Sequence, residues 1–155
     1  MAIMMWISFA IIFSYLAFVI LKFGIPYSIS DTYYLLGKHG LLFQLALAAT
    51  AFTAMPMLID NSSENTKFLA FLACSGLLFV AAAPLFKLEL EGKVHYTSAV
   101  ICCVCLVLWQ VFNTSWIVPL VAFALVLIPM LMDRKFTWWL EIATIVSTYA
   151  SLILY

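Results

Sequence analysis

The stretch IMMWISFAIIFSYLAFVILKF, Ile3 to Phe23, carries no charge before Lys22. As a helix it would rise about 30 Å, the thickness of a bilayer's hydrocarbon core. A secretory leader is the competing reading of such a run. No basic residue precedes the apolar segment and no small-x-small cleavage site follows it, so the expectation is a retained membrane helix.

The rest of the chain has the same character. Hydrophobic residues make up 67%, charged residues 9%, and the mean hydropathy is +1.17. Soluble domains carry about 25% charged residues, so water is the wrong solvent for this surface and lipid is the right one. Aromatics at 16% fit membrane–water interfaces, where Trp and Tyr collect. A net charge of zero gives no reason to expect nucleic acid as a partner. The lipid bilayer is the expected partner, and a homo-oligomer the expected assembly.

Polar punctuation divides the chain into six apolar runs, about 3–23, 41–59, 68–86, 96–112, 117–132 and 138–154. The expected fold is all-α, a polytopic transmembrane helix bundle with short loops, forming a single membrane domain over residues 1–155. Runs four and five fall short of the ~20 residues a span usually needs, which predicts a thin hairpin there. Lys22, Lys38, Lys87, Lys93, Arg134 and Lys135 belong to the odd-numbered connections, and Lys67 alone to an even one. By the positive-inside bias, the odd loops are expected in the cytoplasm and both termini outside, in a multi-pass protein of the cell membrane.

That topology gathers polar chemistry at one end. Asp31 and His39 fall in the first connection, His95 at the end of the third, and Asp133 in the fifth. Glu141 lies one to two turns into the last helix, after the Thr137-Trp138-Trp139 belt. A carboxylate there costs several kcal/mol unless it is paired, protonated or wet. Thr137, Glu141, Thr144, Thr148 and Ser151 recur three and four residues apart and share one face. Glu141, His95 and Asp31 with this stripe form the candidate polar site. His39, between Gly37 and Gly40, reads as an exposed turn residue, and Gln110 with Asn113 marks the opposite mouth.

In SISDTYYLLGKHG (28–40), Ser28 or Ser30 is suited to cap a turn beginning near Asp31, with a short interfacial helix over Tyr33–Leu36. Cys102 and Cys105 form a C-x-x-C inside an apolar run and read as small packing residues. Neither a cofactor nor a metal is expected, and HExxH, GxSxG and nucleotide-loop motifs are absent.

SISDTYYLLGKHG, FLACSGLLFVAAAPLFK and LEGKVHYTSA together resemble a family of uncharacterised small polytopic membrane proteins from gut bacteria and their phages. The resemblance covers about two thirds of the chain and implies a helical membrane protein with no assigned activity. Ser30, Asp31 and His95 also bear a loose likeness to ceramidase-like membrane hydrolases. Those need three histidine ligands for zinc, where this chain has two histidines. Three functions follow as expectations. The first is a channel- or transporter-like conduit for protons or small ions. The second is a non-catalytic membrane partner, and the third a hydrolase acting on a lipid or amphiphile through Asp31, His95 and Glu141.

Overall fold

The computed structural model describes residues 2–154, which fold as an all-helical bundle. Its long helices are α1 (Ala2–Phe23), α3 (Leu41–Asp60), α4 (Lys67–Ala82), α5 (Glu89–Asn113), α6 (Ile117–Asp133) and α7 (Phe136–Leu154), with the short α2 (Thr32–Leu36) between α1 and α3. Five helical segments, Ile3–Phe23, Leu41–Asp60, Glu64–Ala82, Glu89–Asn113 and Phe136–Leu154, are long and apolar enough to cross a membrane, which fits a multi-pass membrane protein. Large apolar side chains face outward along them, including Leu21, Phe52 and Phe112. In water such a surface would be a liability, whereas lipid matches it.

The sixth helix, α6, is shorter, at 17 residues. It nevertheless runs from one end of the bundle to the other. Its start follows Asn113, whose Oδ1 accepts from the Ser63 N–H at 2.9 Å and from Thr66 Oγ1 at 2.6 Å. Its end leads to Lys135, which donates to the Ile25 carbonyl in the connection after α1. Consecutive long helices therefore alternate in direction.

Two expected boundaries are corrected. Run three stops at Ala82 instead of Phe86, because Pro84 disfavours helix in the residue before it. Run four begins at Glu89 instead of Tyr96 and spans 25 residues, so no thin helix stands there. The charges that marked a loop in the sequence form its first two turns. Glu89 and Glu91 suit the positive end of the helix dipole, and Glu89 pairs with Lys93 at 2.9 Å, one turn on.

Packing closes five helices into a ring. α1 lies against α3, α3 against α4, α4 against α5, and α5 against α7. Tyr149 completes the circuit from α7 to α1. It meets Ser8 Oγ at 2.5 Å, and its ring lies edge-on to Phe9 and Phe13 with centroids 5.5 and 5.8 Å away. Ser8 itself donates to the Thr50 carbonyl of α3. Helix α6 sits outside this ring, against α7.

The α4–α5 contact is the most extensive in the bundle, and the two backbones approach closely at Gly76. A methyl group there would stand 2.7 Å from the Ser98 carbonyl oxygen and 3.0 Å from the Cys102 backbone nitrogen. Gly to Ala inside a helix ordinarily stabilises by about 1 kcal/mol. Overpacking against a rigid backbone costs about 1–3 kcal/mol and outweighs it. Gly76→Ala is therefore expected to lower the thermal unfolding midpoint in detergent, and Gly76→Val to lower it further. A midpoint that rises in Gly76→Ala would contradict this packing.

Candidate functional site

The ring of helices encloses a cavity of about 100 Å³. Its wall takes residues from α1, α3, α4, α5 and α7, and from Ile29 and Ser30 before α2. Along α7 the lining runs from Glu141 to Leu152, about 16 Å of helix rise. Most of the wall is apolar, with Ile12, Leu47, Met57, Leu77, Leu106 and Ile145 as representatives. The thiols of Cys74, Cys102 and Cys103 add soft, small surface to it. The hydroxyls of Thr50, Thr144, Thr148 and Tyr149 are spread along the wall, and the one carboxylate, Glu141, stands with Ser30 at one end.

That end is organised by the segment between α1 and α2. Gly24, at φ 73°, ends α1 and turns the chain back under the bundle. The segment's backbone is then secured by groups from elsewhere in the chain. Lys135 donates to the Ile25 carbonyl, and the Trp138 N–H to the Tyr27 carbonyl at 3.0 Å. The Ile29 N–H donates to Glu141 Oε2 at 2.7 Å. Inside a bilayer each such group must find a partner within the protein.

His95 supplies the next tie. Its ring is 2% exposed, with Nδ1 2.8 Å from the Ala83 carbonyl oxygen and Nε2 2.8 Å from Ser30 Oγ. A carbonyl oxygen can only accept, so Nδ1 carries the proton. In the neutral ring Nε2 is then the acceptor for the Ser30 hydroxyl. This is the arrangement of a nucleophile with its base, the base being oriented by a third group. The orienting group is a carbonyl, and Ser30 lies on the cavity wall.

The predicted site residues thus separate into groups. Glu141 and His95 both reach the same end, but through Ile29 and Ser30 rather than through each other. Asp31 joins neither. Its N–H donates to Ser28 Oγ at 3.1 Å, and Ser28 donates to its carboxylate at 3.2 Å. Ser28 is thus the capping serine of the pair. Thr144 and Thr148 line the cavity, and Ser151 is fully buried beside them. Thr137 is exposed and stands off the cavity, although it shares the Glu141 face. His39 is exposed on a turn, as expected.

The stripe's hydroxyls are already engaged. Thr144 donates to the Leu140 carbonyl at 2.9 Å and Thr148 to the Thr144 carbonyl at 2.7 Å. Gln110, expected at an outer mouth, is instead fully buried and brackets the stripe from α5. Its Nε2 donates to Thr148 Oγ1 at 3.1 Å, and Ser151 donates to its Oε1 at 3.3 Å. The signal was an amide within an apolar helix, which must find partners just as a carboxylate must. Among the described residues no three His, Cys, Asp or Glu side chains converge as a metal-ligand set.

The Glu141–Ile29 bond makes a separable prediction. Glu141→Gln keeps an oxygen acceptor for the Ile29 N–H, so the unfolding midpoint should stay near that of the parent protein. Glu141→Leu leaves that buried donor unpaired, at a cost of about 1–3 kcal/mol. Thermal unfolding of both variants in detergent checks this, and equal stability of the two would refute it.

Comparison with protein-family models, with curated proteins and with solved structures returns no match for this chain.

Proposed function

We propose that this is a small, transporter-like membrane protein that takes the apolar chain of an amphiphile into its central cavity, with the polar head at the Ser30–Glu141 end. The observation that carries this reading is the cavity wall, which is mainly apolar along about 16 Å of helix rise, with the one carboxylate, Glu141, and the Ser30 hydroxyl at one end. At about 100 Å³ the cavity takes a short stretch of alkyl chain, which gains dispersion contacts along such a wall. An ion would find few oxygens, because most of the lining side chains are hydrocarbon or sulfur-bearing. The head group would meet the Glu141 carboxylate and the Ser30 hydroxyl, so an amphiphile with a hydrogen-bond donor or a positive charge in its head fits best.

The orientation belongs to the same proposal. Six of the seven basic residues lie at the Glu141 end, which the positive-inside bias assigns to the cytoplasm, with both termini outside. The resemblance to small polytopic membrane proteins of gut bacteria is in keeping with this reading and adds no activity to it.

Photolabelling with a short-chain alkyl amine bearing a diazirine in its tail tests the site. Label should map to α3, α5 and α7 residues on the cavity wall. Ala99→Phe, which fills the cavity from α5, should lower labelling about tenfold. Labelling that is undiminished in this variant would contradict the proposal. Turnover of an ester amphiphile that is lost in Ser30→Ala would make the site hydrolytic as well.

A conduit for protons or small ions is the second reading, favoured by Glu141, Thr144 and Thr148 lying on one wall of the cavity. In liposomes loaded with a pH-sensitive dye it requires a leak above protein-free vesicles that disappears in Glu141→Gln. The amphiphile reading expects no such leak.

A further inference from the structure

A second concavity lies on the outside of the bundle, about 440 Å³ in volume and separate from the central cavity. Its apolar part is formed by Phe18, Leu41, Leu42 and Leu45, all exposed on the face that meets lipid tails, over the buried Leu36. Its polar rim is cationic, with Lys22 from the last turn of α1, and Lys38 and His39 from the turn that precedes α3. Helix α3 begins at this rim, so its positive dipole end adds to the same field.

Neither lysine has an acidic partner among the described residues. Among the described residues, ion pairs join Lys67 to Glu64 and Lys93 to Glu89, and no carboxylate lies within bonding distance of Lys22 or Lys38. Lys22 instead lies over the rings of Phe18 and Phe23, 5.4 and 5.2 Å from their centroids. That places its stem on apolar surface and its ammonium at the interface. We propose that this groove holds an anionic phospholipid, with the phosphate between Lys22 and Lys38 and one acyl chain along Phe18, Leu42 and Leu45. Charge complementarity selects this occupant over a neutral lipid, since two uncompensated ammonium groups above an apolar trough match a phosphate above a hydrocarbon tail. The inference is independent of what the central cavity binds.

Native mass spectrometry of the whole protein, released from nanodiscs of equal parts phosphatidylglycerol and phosphatidylcholine, tests it. The parent protein should retain phosphatidylglycerol preferentially. Lys22→Gln and Lys38→Gln should each reduce that preference about fivefold, while the Lys22→Arg, Lys38→Arg double variant keeps it. Lys93→Gln, at the same end but outside the groove, should leave it unchanged. Free inorganic phosphate at millimolar concentration should not compete, because it lacks the chain. Equal retention of both lipids by the parent protein would overturn the proposal and leave the groove to a neutral tail. An equal loss in Lys93→Gln would overturn it too, by assigning the preference to general surface charge. Both groove lysines are exposed, and an unchanged unfolding midpoint in the Gln variants establishes that the fold is intact.

Discussion

A polar group left unpaired in hydrocarbon costs several kcal/mol, and this constraint organises the whole bundle. Among the described residues every buried side-chain nitrogen and oxygen has a hydrogen-bond partner. The pairs that matter most join distant parts of the chain. Glu141 holds Ile29, His95 holds Ser30 and Ala83, Tyr149 holds Ser8, and Gln110 holds Thr148 and Ser151. Apolar packing alone would not fix how the helices rotate about their axes, because lipid is as apolar as their side chains. These few bonds do so, and they hold α7 against both α1 and α5.

The segment between α1 and α2 shows the constraint at work. It turns at Gly24 and would otherwise leave its backbone groups without partners at the edge of the membrane. Lys135, the Trp138 N–H and Glu141 each take one of them, and His95 holds the Ser30 side chain. Once that segment is anchored, Ile29 and Ser30 form the polar end of the cavity. The same residues that hold the fold together therefore make the site, which is why Glu141 can have a structural and a binding role at once.

Much of the architecture was legible from charge and spacing. The segregation of lysines and arginines marked which connections share an end, and hydrogen bonds across loops one, three and five place them together. The start of α5 was not legible, because Glu89, Glu91 and Lys93 look the same in a solvated loop and in the exposed first turns of a helix. At the site, the heptad-like spacing of Thr144, Thr148 and Ser151 revealed a polar face but not its partner, since Gln110 lies on another helix. Ser30 and Asp31 are neighbours in sequence, and only the geometry separates the one on the cavity wall from the one turned to Ser28.

The central claim is that the cavity is an apolar slot and not a watery path. A variant that retains Cys103 as its one cysteine, in native-like membranes, puts this to the test, because Cys103 lines the cavity together with Glu141 and Thr144. The measurement is the rate of thiol modification by a charged, water-soluble methanethiosulfonate against that by an alkyl maleimide. The account predicts reaction with the alkyl reagent and protection from the charged one. Rapid modification by the charged reagent would show water reaching Cys103 and would contradict it.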